Sequence, residues 1–89
     1  MTHFVKINNS VFEISKTFAD LLKKTYNNIP SEVQDKKHFL ILNDFILSSF
    51  QVVNTVNQTH FYILISNKKY RIKRNFHKFL SSVLHRNEL

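Results

Sequence analysis

The sequence contains no cysteine and no glycine among its 89 residues, and it has a single proline. Without cysteine, neither a disulfide nor a thiolate metal site can support the fold. Without glycine, there is no glycine-rich loop of the kind that cradles phosphates in nucleotide sites. The five histidines also lack the spacing of metal ligands; they are His3, His38, His60, His77 and His85. We therefore predict no metal and no other cofactor.

Long apolar runs are also missing. No run approaches the ~20 residues that a membrane-spanning helix requires. The first residues lack the apolar region of a secretory signal, and the first arginine is Arg71, which argues against an arginine-rich transit peptide. These features predict a cytoplasmic protein. A chain of this length, 43% hydrophobic, is expected to form a single domain over residues 1–89 with one modest core.

Acidic residues are scarce in the last third of the chain. Residues 60–89 carry seven lysines and arginines against one carboxylate side chain, Glu88, whereas residues 1–59 carry six lysines and five acids. Of the net charge of +7, +6 therefore lies in the last third. The seven cations are Lys68, Lys69, Arg71, Lys73, Arg74, Lys78 and Arg86. Such localised charge predicts an anionic partner, most commonly the phosphate backbone of RNA or DNA.

The basic segment has the pattern of a β-hairpin with an apolar back and a basic front. Residues 61–65 are aromatic and β-branched, which suits a strand. Residues 66–68 suit a turn, because asparagine tolerates positive φ. Apolar and basic side chains then alternate along residues 69–73. This pattern predicts an antiparallel pair of strands whose buried residues include Ile63, Ile65, Tyr70 and Ile72.

The first thirty residues predict two strands and an amphipathic helix. The strands are placed at residues 3–7 and 11–15. Thr17 is the expected N-cap of the helix, because Asp20 completes a capping-box-like pair with it. The helix is expected to end near Asn27-Asn28, since Pro30 cannot continue it.

A second helix is predicted from Ser31. Ser31 and Gln34 form another capping box, and apolar residues such as Leu40 and Phe45 follow at helical spacing. The pattern does not define where this helix ends. Residues 48–59 are compatible with a strand, a loop or frayed helix.

Apolar residues after Phe76 recur at helical spacing, although residues 76–88 also alternate as in a strand; periodicity favours the helix. An internal repeat accompanies the helical interpretation. Shifted by 58 positions, Phe4–Leu22 overlays Tyr62–Leu80 without a gap, and each copy consists of a strand, an asparagine-containing turn, a strand and a helix. The predicted fold class is α+β. It is a small antiparallel sheet with two helices packed on one face or, alternatively, two strand–strand–helix units around a central helix.

Four segments follow the element order of a known family. Phe12–Leu22 matches an opening strand and helix, Ile29–Lys36 a proline-containing link into a second helix, and Phe61–Ile72 central strands with a Tyr-Arg-aliphatic triplet. Val83–Arg86 matches a closing strand. On these motifs the chain resembles the RelE/ParE superfamily of small toxins, including the HigB branch. It departs from the family in lacking the glycine near the triplet and a C-terminal tyrosine.

The resemblance implies a metal-independent endoribonuclease that cuts mRNA on the ribosome, as the toxin of a toxin–antitoxin pair. In such a reaction the RNA 2′-hydroxyl attacks the adjacent phosphate, so the enzyme must supply cations and proton-transfer groups. Arg71 would stabilise the developing charge, and His85 would move a proton. The implied partners are the ribosome and an acidic antitoxin-like protein.

Two other classes of protein fit the same residues. A non-catalytic nucleic-acid-binding protein of phage, mobile-element or ribosome-associated type would use the basic hairpin as a wing beside a C-terminal helix. A phage-type inhibitor would turn the same basic face toward an acidic protein surface. The structure of residues 76–86 discriminates between them, because a strand there favours the toxin and a helix favours the wing or the repeat.

Overall fold

The protein is α+β, which confirms the predicted fold class. The structure, a computed structural model, describes residues 1–53 and 59–85, with residue 85 described by its backbone alone. Those ranges contain a four-stranded mixed sheet, a three-stranded antiparallel sheet and three helices. None of the helices in those ranges is long and apolar enough to cross a membrane.

The chain divides into two compact units, Met1–Ile46 and Leu47–Leu89. The first unit contains β1 (Thr2–Ile7), β2 (Ser10–Ile14), α1 (Lys16–Thr25), β3 (Ser31–Gln34) and β4 (Lys37–Ile41). A short helix, α2 (Asp44–Ser48), overlaps the boundary. The second unit contains β5 (Gln51–Val53), β6 (Phe61–Ile65), β7 (Lys68–Ile72) and α3 (Arg74–His85).

The strands of the N-terminal unit are arranged in the order β2-β1-β4-β3. β1 is antiparallel to β2 and parallel to β4, so the predicted opening hairpin is confirmed. Alternate residues of these strands are buried together with apolar residues of α1, which contacts β1. The core comprises Val5, Ile7, Ile14, Phe18, Ala19, Leu22 and Leu40.

Helix α1 is the predicted amphipathic helix, but it begins earlier than predicted. Its N-cap is Ser15, whose backbone is extended and whose Oγ accepts a hydrogen bond from the Phe18 amide at 3.1 Å. The predicted N-cap at Thr17 is therefore wrong, because Ser15 follows directly on the end of β2 and its side chain satisfies one of the first free amides of the helix, that of Phe18. The helix ends at Thr25, ahead of Asn28, which has a positive φ of 63°.

The predicted second helix is wrong, because residues 31–41 form the antiparallel hairpin β3–β4. Asp35 and Lys36 occupy its turn with φ values of 51° and 61°, and positive φ at both central residues is what a two-residue hairpin turn of type I′ requires. The side chains of β4 alternate between buried and half-exposed, as expected of a strand paired with β1 on its other edge. Only Asp44–Ser48 is helical, capped by the Asn43 Oδ1, which accepts from the Ile46 amide at 3.0 Å.

The C-terminal unit contains the predicted hairpin. β6 and β7 pair antiparallel through a turn at Ser66 and Asn67, whose φ values are 53° and 66°. Of the residues expected to be buried, the three isoleucines are buried and Tyr70 is half-buried. β5 pairs with the other edge of β6. The sequence left the structure of residues 48–59 undecided. Within this segment residues 51–53 form a strand, and residues 54–58 lie outside the described part.

The C-terminal helix is also confirmed, since α3 covers Arg74–His85 and buries Phe76 and Leu80. The closing strand that the family resemblance implied at Val83–Arg86 is wrong at residues 83–85, which are helical. Arg86 lies outside the described residues. The helical spacing of the apolar residues explains the outcome, because it places Phe76 and Leu80 on one face of the helix.

The hairpins of the two units have the same register. His3 pairs with Ile14 in the first, and Phe61 pairs with Ile72 in the second; the same shift of 58 positions relates all five residue pairs. Equivalent core residues are similarly buried, including Leu22 and Leu80, both at 0% exposure. The strand–strand–helix order of the predicted repeat is therefore confirmed. The segment between the copies is β3, β4, α2 and β5 rather than one central helix.

Candidate nucleic-acid interface

The division of charge along the sequence coincides with the division into compact units. The C-terminal unit carries seven lysines and arginines and a single carboxylate side chain, Glu88. The N-terminal unit carries six lysines and five acids and is nearly balanced. No carboxylate side chain occurs in the sequence from Phe45 to Asn87. The positive charge of the protein is therefore concentrated on one structural unit.

One face of the C-terminal sheet presents two of these cations beside an aromatic ring. The strands bury Ile63, Ile65 and Ile72 on one side, so the alternate residues point to the other. We call this second side the sheet surface, defined by Gln51, Val53, Tyr62, Leu64, Lys69 and Arg71. Its two cations are exposed, and its tyrosine and leucine are half-exposed.

Tyr62 lies at the centre of the sheet surface, on the middle strand. Arg71 is its direct neighbour on β7, and Val53 is its neighbour on β5. The Nζ of Lys69 lies 4.6 Å from the centroid of the Tyr62 ring, within cation–π distance. The exposed ring of His60 approaches edge-on, with the two ring centroids 6.5 Å apart. This arrangement places an aromatic face and two positive charges within reach of one ligand.

Helix α3 contributes a second basic feature, a shallow concave pocket of about 260 Å³. We call it the helix pocket, defined by Phe61, Arg74, His77, Lys78 and Ser81. Its four helical residues are spaced i, i+3, i+4 and i+7, so they lie along one face of α3. Arg74 and Lys78 are exposed, and Ser81 adds a hydroxyl. Such a set of donors suits an anionic group.

His77 is held in place inside the helix pocket. Its Nε2 lies 2.9 Å from the backbone carbonyl oxygen of Val53, to which it donates a hydrogen bond. Its ring also packs against Phe61, with the two centroids 5.0 Å apart. These contacts tie α3 to the edge strand β5. They also leave only Nδ1 of the imidazole to interact with a ligand.

The structure separates the predicted site residues into two groups. Lys69 and Arg71 share the sheet surface, whereas Arg74 and Lys78 share the helix pocket. The remaining described cations are exposed near the two ends of β7; they are Lys68 and Lys73. Of the other predicted residues, His85 ends α3 with its side chain outside the described part, and Arg86 lies wholly outside it. The catalytic pair of Arg71 and His85 therefore stays a prediction, because the His85 side chain lies outside the described part.

No protein-family model matches the chain, and no curated protein or solved structure matches it at a significant level. Function is therefore inferred from geometry and charge.

The N-terminal hairpin shows the same scaffold with a different surface. The positions equivalent to Lys69 and Arg71 are Val11 and Glu13. The equivalent of Tyr62 is Phe4, whose ring stacks on Phe39 with centroids 5.1 Å apart and an interplanar angle of 22°. The pair of cations at Lys69 and Arg71 is therefore a property of the second copy and not of the fold, and the first copy instead has Lys6 at the position equivalent to Leu64.

A histidine pair lies on the α1 side of the N-terminal sheet. His38 on β4 is 7% exposed, and its Nδ1 lies 3.4 Å from the Nδ1 of His3 on β1. Burial lowers the pKa of His38, and the charge interactions with Lys23 and with His3 lower it further. At this distance one ring nitrogen donates and the other accepts, and the tautomers of the two rings decide which is which. No group of three or more metal-binding side chains occurs in the part of the chain that the structure describes.

This pair predicts a loss of stability in acid. Because the pKa of His38 is lower in the folded state, the unfolded chain binds the proton more tightly. Stability should therefore fall as the pH drops below about 6.5, the unfolded value. For one proton the slope is at most about 1.4 kcal/mol per pH unit. Urea denaturation between neutral and mildly acidic pH measures it. The slope should diminish in His38→Gln but not in the exposed control His60→Gln; equal slopes in all three proteins would contradict the prediction.

Proposed function

We propose that the C-terminal unit binds RNA or DNA through the phosphate backbone, without cleaving it. The observation that supports this most directly is the exposure of every described cation in residues 59–85, in a unit whose one carboxylate side chain is Glu88. Exposed cations on a unit with an excess of positive charge attract a polyanion over a distance and contact its phosphates on arrival. A cytoplasmic location, where both polymers are accessible, is part of the proposal.

The β6–β7 hairpin and α3 provide the shape of this interface. The hairpin projects Lys69 and Arg71 from a rigid sheet, and arginine can hold a phosphate with two parallel hydrogen bonds. Arg74 and Lys78 follow on the first turns of α3. Phosphate contacts of this kind fix the position of a protein on nucleic acid but carry no sequence information. The proposal is therefore a binding module with little intrinsic base-sequence specificity.

The ribonuclease hypothesis retains one favourable observation, the exposure of Arg71 on a strand whose other face is buried. Against it, α3 occupies residues that the toxin family would place in a closing strand, and β3–β4 occupies those of its second helix. We therefore favour binding without catalysis. Cleavage of mRNA on translating ribosomes by the wild type, lost in Arg71→Ala, would reverse this preference. It would also make the ribosome and an acidic antitoxin-like protein the expected partners.

Salt dependence tests the binding proposal. If Lys69, Arg71, Arg74 and Lys78 each contact one phosphate, log Kd against log salt should have a slope of roughly 2.8 in magnitude on single strands, about 0.7 per contact. Fluorescence anisotropy of a labelled oligonucleotide, titrated with the full chain between about 50 and 200 mM salt, measures this slope. No binding at the lowest salt, or affinity that does not change with salt, would overturn the proposal. Binding of an acidic protein but of no oligonucleotide would favour the inhibitor class instead.

A further inference from the structure

We propose that Tyr62 is a stacking platform for a base of single-stranded nucleic acid, with Lys69 and Arg71 holding the phosphates on either side of that base. This inference rests on the proposed function, because it names the substrate class of the same basic unit. It assigns a role to an aromatic residue that charge alone does not identify.

The position of Tyr62 supports the assignment. The ring is half-exposed at the middle of the sheet surface, so a flat ligand can approach it from the side opposite the buried face. Lys69 and Arg71 lie on the adjacent strand, two residues apart, which separates their Cα atoms by about 6.8 Å. Both are exposed and both point to the same side as the ring. A base on the ring would thus have a cation near each of its neighbouring phosphates.

A nucleobase can displace the side chain that lies over the Tyr62 ring. The ammonium of the exposed Lys69 lies over it, at 4.6 Å from the centroid, and the exposed ring of His60 lies beside it, with the two ring centroids 6.5 Å apart. An exposed cation–π contact is weaker than the stacking of a nucleobase on an aromatic side chain. Lysine is flexible, so Lys69 can release the ring and still reach the phosphate of the stacked nucleotide. The ammonium therefore marks a position where positive charge and a stacked base are both favoured.

The first copy of the repeat shows how the same position differs when the ring packs on a neighbour. There Phe4 is stacked on Phe39, so one face of its ring is covered by another ring of the protein. Beside it, the equivalent of Arg71 is Glu13, whose carboxylate would repel a phosphate. The two copies share register and core burial and differ in these outward residues. In the second copy the two residues beside the ring on the outer strand are cations, whereas in the first copy they are Val11 and Glu13.

Single strands are the class of nucleic acid that fits this surface. Bases in a duplex are stacked on one another and cannot lie on an aromatic ring of a protein without being unpaired. Bases of a single strand are free to stack, and every base has a π-face, so such binding tolerates any sequence. The shared chemistry of base and phosphate admits both RNA and DNA.

The test compares oligomers that differ only in their bases. Fluorescence anisotropy of the full chain is measured with labelled oligo(rU), oligo(dT), a DNA duplex and an abasic deoxyribose-phosphate strand of equal length. The wild type should bind the better of the two base-bearing single strands roughly 5–150-fold more tightly than the abasic strand, the effect of one stacked base. Tyr62→Phe should preserve this ratio. Tyr62→Leu should abolish it, so that base-bearing and abasic strands bind this variant equally.

A matched control variant and a second measurement distinguish a loss of stacking from a loss of folding. Phe4→Leu makes the equivalent change in the first copy and should leave the ratio at its wild-type value. Because the chain has no tryptophan, Tyr62→Trp introduces a single indole fluorophore. Oligo(dT) should quench its emission and the abasic strand should not. Binding without quenching would overturn stacking at this position.

The outcomes separate this inference from the proposed function. Equal wild-type affinities for base-bearing and abasic strands would overturn the stacking platform and leave phosphate binding intact. Duplex bound as tightly as single strands would likewise overturn it. Absence of binding to every oligomer would overturn the proposed function itself. If the stacking platform is supported, comparing the affinities for oligo(rU) and oligo(dT) identifies whether ribose or deoxyribose is preferred.

Discussion

Reversing two cations of the C-terminal unit, in the double variant Lys69→Glu with Arg74→Glu, should weaken nucleic-acid binding by roughly 10²–10⁴-fold, since each charge-assisted hydrogen bond contributes about 1.5–3 kcal/mol. Both side chains are exposed, one on the sheet surface and one at the helix pocket. The fold should therefore tolerate the change. Anisotropy titration at fixed salt measures the loss, and circular dichroism verifies folding.

The matched control is Lys23→Glu with Lys24→Glu, which alters the net charge of the protein by the same amount. These lysines are exposed on α1 in the charge-balanced N-terminal unit. The control should bind almost as tightly as the wild type, with a similar dependence on salt. The first double variant should also lose about 1.4 from the magnitude of the single-strand slope, the share of two phosphate contacts. Equal losses in both variants would show that total charge, rather than a located surface, drives binding.

The elements that could be predicted from sequence are those whose signals are local. The β6–β7 hairpin carries its own alternation and its own turn, since Asn67 tolerates the positive φ that the turn needs. Helix α3 carries a 3.6-residue period. The internal repeat depends on both signals. It correctly predicted that the first hairpin and helix would have the same order of elements as the second; the shared register is visible only in the structure.

The prediction of a second helix was wrong because it used only neighbouring residues in the sequence, whereas the structure of this segment depends on pairing with a distant strand. Ser31 and Gln34 match a capping box, yet the same residues begin and end β3. Residues 37–41 become a strand because β1 offers a parallel edge to pair with, far away in sequence. Pairing between strands that are distant in the sequence produces no pattern in the residues that flank the strand. Tertiary context thus overrode the propensity of the segment.

The sequence predicted the cations of the candidate site but not its aromatic residue. Lys69 and Arg71 are identified by the scarcity of carboxylates around them and by their alternation with Tyr70 and Ile72. Tyr62 was missed because residues 61–65 are apolar on both faces, so the sequence does not show which side is outward. The packing of α3 and the pairing with β5 decide that Ile63 and Ile65 are buried and that Tyr62 faces outward. Phe61, by contrast, packs against His77.

Truncation of a core phenylalanine is the other change with a large expected effect. Phe76 is 0% exposed, on a helix that packs against β5 and β6. Phe76→Ala should therefore lower the free energy of unfolding by about 3–5 kcal/mol, through lost burial and the cavity left behind. Urea denaturation measures the change. Phe79→Ala, at a half-buried position on the same helix, is the control and should cost less.

Nucleic-acid binding should partly offset the loss in the free energy of unfolding that Phe76→Ala causes. A ligand that binds only the folded state stabilises it by RT ln(1 + [L]/Kd), about 2.7 kcal/mol at a hundredfold excess over Kd. If α3 supports both the sheet surface and the helix pocket, a saturating oligonucleotide should restore part of the lost stability. The same oligonucleotide should add little to a variant that carries Lys69→Glu and Arg74→Glu as well. A loss of less than about 1 kcal/mol, well below the range for buried phenylalanine, would show that α3 does not anchor the basic surface, and the rigid interface would have to be abandoned.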